Sequence, residues 1–536
     1  MAFSVTYDVV VYSNSLPGVL AAVAAAQQGV RTAIVSPEGH MGGMSVNGLS
    51  AIDMGRYGTK LNGYLMGEFL QRIGQLSGAG SATRLEPRLA ERVLRDMMAS
   101  RSVAQFSSRT LASVQKTGTT IASITDTAGN VYAAAQFIDG TYEGDLARMA
   151  GVTMRIGREA ASEFGEELAG FFPDPAGPQE VNPYVSPGVL FEGLVPDPGL
   201  TPGQADPDAQ QPMAFRVPLT KRPGLRIGIP QPPGYDPALF AFLTQGLNEY
   251  SNPIVPGNCS YGKTDWNFDA RIVDSWVWNQ ATPEQRAVIT AKLRAYQQGY
   301  IYFLQKDPSV PARAQKKARE WYLATDEFID NGRWPRMAYV RDWARIDGQS
   351  VLNYNQVKAT PLGFPSTSVG MASYSTDCHS PRYYVEASSG KLRQDGASTV
   401  GRTTAGKLKL TVDPYQIPFK CCRPKAVEVV NLLCCCAISI TAVVMYSYRM
   451  EPAAGRIGAA CGVAAGLAVK TATALDDLVI GPSTTAGSLQ AVLVALGQVV
   501  TFVPTVPLPT PDEDPDNPDD PDNPDDEDDD NEDGVG

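Results

Sequence analysis

Read for its hydrophobic and polar positions, the chain opens on a β-branched run, Tyr7 to Tyr12, of the kind that a parallel sheet buries on both faces. Ser13, Asn14 and Ser15 end it. Pro17 and Gly18 then open an Ala-rich helix through Gln28, and Gly29 closes that helix as its C-terminal cap. Arg31 to Val35 reads as a second strand, which completes a βαβ unit at the usual position of a dinucleotide-binding first unit. Arg84 to Ala99 predicts an amphipathic helix with Leu89, Val93 and Met97 on one face. Ile121–Ile124 and Val131–Ile138 predict strands, the latter running into Asp139, Gly140, Thr141, Tyr142, Glu143, Gly144 and Asp145.

From about Ala160 to Tyr250 the periodicity fades into Pro- and Gly-rich sequence, and helical, aromatic-rich sequence resumes from Thr282 to Phe328. This pattern predicts a second domain inserted into the first. The expected division is 1–160 and 371–480 for a nucleotide-binding domain in two parts, 161–370 for an inserted substrate or cap domain, 481–503 for a closing helix and 504–536 for a tail. Val429 to Tyr448 is uncharged over 20 residues, but Asn431, Ser439, Thr441 and Ser447 interrupt it. It is expected to be a buried strand leading to a turn at Arg449–Pro452 rather than a membrane span, with a helix following from about Ala453 to Val469.

At 536 residues the chain is too long for one core. Its net charge of -12 is misleading, because 15 acidic groups lie between Asp512 and Asp533 and no Lys or Arg follows Lys470. The body is nearly neutral and has no basic stripe, which argues against a nucleic-acid partner. In the tail, Pro and repelling carboxylates leave no apolar face to bury, so disorder is expected, with docking to a basic protein or an assembly as its use. The eight cysteines suit neither a disulfide framework nor a metal knuckle, since Cys421–Cys422 and Cys434–Cys436 are contiguous. They read as buried reduced thiols. With no signal-like segment at Met1–Thr6, a cytoplasmic location is expected, and no metal site.

A phosphate-cradling turn needs glycines, so that backbone N–H groups at a helix N-terminus can approach the phosphates. Here the Gly-x-Gly-x-x-Gly pattern becomes Ser13 to Gly18, with only Gly18 kept, leaving Asn14, Ser15 and Gly18 as the candidate cradle. The acidic residue that normally meets the ribose at the end of the second strand is Ser36, with Glu38 two residues on. Next comes Gly39-His40-Met41-Gly42-Gly43-Met44-Ser45, whose paired glycines permit close backbone approach.

These blocks resemble the FAD-dependent oxidoreductases that carry a His-Leu-Gly-Gly-Met-Ser-like loop after the second strand and a Phe-Ile-Asp-Ala-Thr-Tyr-Glu-Gly-Asp-Leu-like block. Phe137–Leu146 matches the latter with Gly140 in place of Ala. Further matches follow in order: Gln211, Phe215–Arg216, Leu219–Thr220, Asp326–Phe328, Asn331–Pro335, Tyr339–Arg341, Asp377–His379, Pro418–Phe419, Asn431–Leu433, Arg449–Pro452 and Leu489–Gln498. The similarity covers about residues 5 to 500.

The resemblance implies an α/β, glutathione-reductase-like FAD/NAD-binding Rossmann-type fold holding FAD. The cofactor would contact Asn14, Ser15, Gly18, Ser36, Gly42, Gly43, Met44, Asp139, Met450, Glu451 and Gly458, with a helix starting near Gly455–Gly458 aimed at the flavin. The row Gly458, Gly462 and Gly466 would suit a membrane helix pair, but reads rather as close packing against cofactor or sheet. The expected activity is hydride transfer from a small-molecule substrate to flavin. Of the two histidines, His379 is the candidate base and His40 a loop-ordering residue, while Arg216 and Arg341 are either carboxylate clamps or structural ion pairs. Ser13 adds a side chain where the turn is tightest and Ser36 removes a charge, so a weakened cofactor site is expected. The alternative reading follows from that weakness: a non-catalytic chain that keeps the fold as a structural or assembly scaffold.

Overall fold

The β-branched run forms β1 (Ser4–Tyr12), whose inner half is completely buried. It leads into α1 (Leu16–Gln27), where Ser15 is the N-cap and Gly29, at φ +82°, makes the left-handed turn that ends the helix. There follow β2 (Thr32–Val35), α2 (Pro87–Ala99), β3 (Ala104–Phe106), β4 (Leu111–Thr117), β5 (Thr120–Asp126) and β6 (Val131–Asp139). In the computed structural model the described residues are 2–502, apart from 56, 79–83, 167, 175–176, 255–261, 269, 271–272, 360–361 and 397–413. The acidic tail expected at 504–536, and Cys259, lie outside them.

Strands β3, β2, β1 and β6 lie side by side and parallel, with Tyr12 opposite both Val35 and Asp139. All four therefore end along one edge, where an open α/β sheet binds its ligand. The first half of β6 also pairs antiparallel with β5, which forms a hairpin with β4.

A separate antiparallel sheet follows in the chain, made of β7 (Val217–Thr220), β8 (Arg226–Ile227), β9 (Lys263–Trp266) and β10 (Tyr322–Ala324) in the order β8-β10-β7-β9. Helix α3 (Pro283–Lys306) opens on a capping box formed by Thr282 and Gln285. Gln297 on that helix pins it to the sheet by two 2.7 Å bonds with the backbone N–H and C=O of Phe215.

The chain then returns to the first sheet. Only Leu432–Cys434 of the expected long strand is extended, as β11, parallel to the second half of β6; Ala442–Tyr448 is instead a helix, α4, capped by Thr441. The reason is the available edge: β6 ends at Asp139, opposite Cys434, so nothing remains for a longer strand to pair with. Helix α5 (Glu451–Thr471) begins two residues before its expected start and lies along α1. Among the described residues it is the helix long and apolar enough to cross a membrane, but 89% of that stretch is buried inside the protein, as a core helix. The seven described cysteines are free and buried.

Candidate functional site

Where β1 turns into α1, Ser15 Oγ accepts from Gly18 N (3.1 Å) and donates to the Gly140 carbonyl (2.5 Å). Ser13 Oγ donates to the same carbonyl (2.8 Å) and accepts from Ser15 N (2.9 Å). A Cβ built on Gly140 would lie 2.7 Å from Ser13 Oγ, and one on Gly18 would lie 1.9 Å from it. The Ser13 side chain thus occupies space left by the missing side chains of Gly18 and Gly140. The obstruction expected at Ser13 is absorbed by a glycine 127 residues away, because the end of β6 abuts this turn.

The loop after β2 closes onto the same turn. Gly42 and Gly43 N–H both donate to Asn14 O (2.7 Å each), and Gly43, at φ +55°, has Tyr142 Oη where a Cβ would be, 2.3 Å away. The paired glycines therefore bring the loop against Asn14, Ser15 and Tyr142. His40 Nδ1 meets Glu91 Oε1 at 2.6 Å, tying the loop to α2 as a loop-ordering residue would.

The carboxyl ends of β1, β2 and β6 border a cleft of about 490 Å³, whose other wall is α3 and the segment 335–338. Ser36 is buried with its hydroxyl turned onto Glu38, donating to Glu38 O (3.0 Å) and accepting from Glu38 N (3.1 Å). Glu38 itself is exposed and lines the cleft. Asn14 lines it too: its Oδ1 is buried without a partner and its Nδ2 makes only a 3.7 Å contact to Met337 Sδ. A buried amide left this way is costly unless a ligand meets it.

The profile of the family described as FAD dependent oxidoreductase matches residues 8–493. The chain belongs to that family. Among curated proteins, no significantly similar relative was found. Solved structures with local likeness include a flavoprotein/dehydrogenase from Cytophaga hutchinsonii (19% identity, 29% of this chain and 44% of that one, TM-score 0.23). Others are the OxyS anhydrotetracycline hydroxylase from Streptomyces rimosus (12%, 29% and 36%, 0.23) and the bacillithiol disulfide reductase Bdr from Staphylococcus aureus (14%, 26% and 39%, 0.19). The matched stretches amount to less than half of either chain.

The cofactor of an FAD-dependent oxidoreductase is FAD, and the residues on the cleft fit it. The capped N-terminus of α1 would face the pyrophosphate, Asn14 Oδ1, which has no partner, would accept from a polar ligand group, and Glu38 would offer a carboxylate where Ser36 does not. Other expected contacts are engaged with protein. Asp139 is buried, accepting from Thr141 N and Oγ1 and from Ala147 N, so that it holds the turn after β6. Met44 N donates to Tyr142 Oη, which donates to Glu451 Oε1 (2.7 Å), while Ser45 Oγ donates to Glu451 Oε2 (3.0 Å). Met450 is the N-cap of α5, and Glu451 is that helix's first residue. Gly458 has its close neighbour in α1: a Cβ there would lie 2.1 Å from Pro17 O.

Burial pushes both the Glu451 and the Asp139 carboxyls up to about 7 despite their hydrogen bonds. In the unfolded chain both ionise near 4, so between about pH 4 and 7 the folded state holds more protons. Stability is present in full below that window and falls as pH rises through it. The apoprotein is expected to melt higher at pH 5 than at pH 8, and Glu451→Gln to shrink the difference. A pH difference unchanged in that variant would remove Glu451 from this account.

A second cluster gathers residues from distant segments. His379 Nε2 lies 3.4 Å from Asp377 Oδ2, and His379 N donates to Gln211 Oε1 (2.8 Å). Asp377 is also paired with Arg449, which donates to Tyr339 Oη (3.2 Å). Burial raises the Asp377 carboxyl, but His379 and Arg449 more than offset it and hold it well below the usual carboxylate range.

Asp53, which the sequence did not single out, joins this cluster. Its nearest charges are Arg216, Asp377, Arg449 and Asp265, and it strongly raises the hydroxyl of Tyr374. Its side chain is exposed, and desolvation by the protein atoms around it pushes its carboxyl up to about 6. Arg216 is bound to Asp265 through Nε and Nη2 (3.0 and 2.8 Å), while Arg341 donates to Pro212 O and Asn267 Oδ1. Arg216 is thus in a structural ion pair, the second of its two expected readings.

Proposed function

We propose that this FAD-dependent oxidoreductase moves a hydride from a small-molecule substrate to flavin. What supports this best is the cluster of Asp53, Asp377, His379 and Arg449, which can take the proton that leaves as the hydride does. Bound FAD supplies the hydride acceptor. Arg449 and Asp377 form a fixed ion pair, and Asp377 Oδ2 orients the imidazole through Nε2 and stabilises it once protonated. His379 is the proposed proton acceptor. Asp53 is the second candidate, because its carboxylate makes no hydrogen bond or ion pair with any described residue. The buried free thiols suit a reducing compartment, and a cytoplasmic location is part of the proposal.

The first test is the absorption spectrum of the purified protein before and after soaking with FAD. Oxidised flavin bound in about 1:1 ratio is expected; a folded chain without flavin under both conditions would favour the scaffold reading. The second is the rate of flavin reduction in a single turnover. The variant lacking the true base is expected to lose about 100-fold or more while keeping its flavin. If both His379→Asn and Asp53→Asn change the rate by less than about threefold, neither residue takes the proton.

A further inference from the structure

Three cationic side chains of the inserted domain line the cleft: Arg286 and Arg294 from α3, and Arg336. Two are neutralised within the protein. Arg286 Nη1 reaches both oxygens of Asp145 at 2.9 and 2.8 Å, and Arg336 is paired with Asp330. Arg294 has no such partner. Its Nη1 and Nη2 contact only Asn331, at Oδ1 (3.3 Å) and at the backbone oxygen (3.0 Å). Two of its five N–H groups are thereby used, and among the described residues no carboxylate lies within ion-pair distance. Burial without an opposing charge lowers its affinity for its proton.

Arg286, Thr290 and Arg294 recur every four residues and all line the cleft, so they form one stripe of α3 facing it. The cation is held in place. Asn331 Nδ2 donates to the carbonyls of Trp334 and Pro335, which anchors the amide that Arg294 contacts, and the same segment carries Met337 against Asn14. On the opposite wall stand Asn14, beside the capped N-terminus of α1, and Thr141. A half-buried, oriented guanidinium with no counter-ion, set across a cleft from a helix N-terminus, forms half of an anion site.

We propose that Arg294 is a phosphate clamp, reaching from the inserted domain to the pyrophosphate of the dinucleotide in the cleft. It supplies from α3 the grip that the glycine-poor Ser13–Gly18 turn lacks. The proposal rests on FAD being the occupant of this cleft, and it adds that the inserted domain takes part in holding the cofactor.

The test compares ligands with and without the pyrophosphate on the flavin-free protein: FAD, ADP and riboflavin, followed by flavin fluorescence or, for ADP, calorimetry. Arg294→Gln is expected to weaken FAD and ADP about 10- to 100-fold, the loss of one charge-assisted contact, and to leave riboflavin unchanged. Arg294→Lys should recover part of the loss, and the salt dependence of FAD binding should be shallower in the Gln variant. Lys292→Ala, which removes an exposed cation two residues away on α3, should bind as the parent does. Parent-like binding of FAD and ADP by Arg294→Gln would overturn the proposal, as would an equal loss of riboflavin, which would make Arg294 a packing residue. If the parent protein binds FAD but not ADP, the clamp is overturned while the flavoprotein reading survives. If it binds neither, both fail.

Discussion

Gly140→Ala is expected to strip the protein of flavin, and adding Ser13→Gly to the same chain is expected to restore part of it. A methyl group at 140 would sit 2.7 Å from Ser13 Oγ, 2.9 Å from Ser13 Cβ and 2.7 Å from Gly18 Cα. Two of these atoms belong to the side chain at 13, so a glycine there removes two of the three contacts and leaves the approach to Gly18 Cα. Gly140 is not at positive φ, so the alanine is penalised by contact and not by backbone conformation. Overpacking of this kind costs about 1–3 kcal/mol, and here it would be relieved by moving the turn that faces the cofactor. Ser13→Gly alone loses the bond to Gly140 O, which Ser15 still satisfies, and the bond that Ser13 Oγ accepts from Ser15 N, each about 1 kcal/mol. It should leave flavin affinity within a few fold and not improve it. The measurements are flavin content and melting temperature of the two single variants and the double. Additive effects, with no rescue in the double variant, would show that the two positions are not exchanging volume.

A larger loss of stability is expected from Gly458→Val. The new Cβ would lie 2.1 Å from Pro17 O, 2.7 Å from its carbonyl carbon and 2.9 Å from its Cα, all backbone atoms of the first turn of α1. No rotamer change can relieve such a contact, so α1 and α5 must separate. Gly462 meets Ala21 O at the same 2.1 Å, and a local shift at 458 would disturb that contact as well. At least about 3 kcal/mol is expected, seen as a clear fall in melting temperature or failure to accumulate folded protein. Flavin should be lost with it, since the displaced turn carries Ser15 and its cap. Gly224→Ala, with nothing within 4 Å of its added Cβ, is the control and should melt like the parent. A parent-like Gly458→Val would mean that the two helices are not packed this closely.

Local patterning determined the first unit of this protein. The β-branched run, the Ala-rich helix and the Gly29 cap specify β1, α1 and β2 from neighbouring residues alone, and the glycine row in α5 implied close packing, although the partner is α1 and not the cofactor or sheet expected. The ordered blocks from Tyr7 to Gln498 carried the family and with it the cofactor. What the sequence could not contain was the meaning of its departures. Ser13 reads as damage when only Gly18 is near it in the chain, and as an exchange of volume once β6 brings Gly140 against it. The same holds for strand length, since Leu432–Cys434 stops where its partner stops and not where its apolar residues do. Asp53 and Arg294 carry no motif, one in an aperiodic loop and the other on a mixed helix face. The proposed role of Asp53 depends on the charges gathered around it, and that of Arg294 on the counter-ion it lacks. Pairing across hundreds of residues decides that, and packing density, edge length and the presence or absence of a counter-ion exist only once the chain has folded.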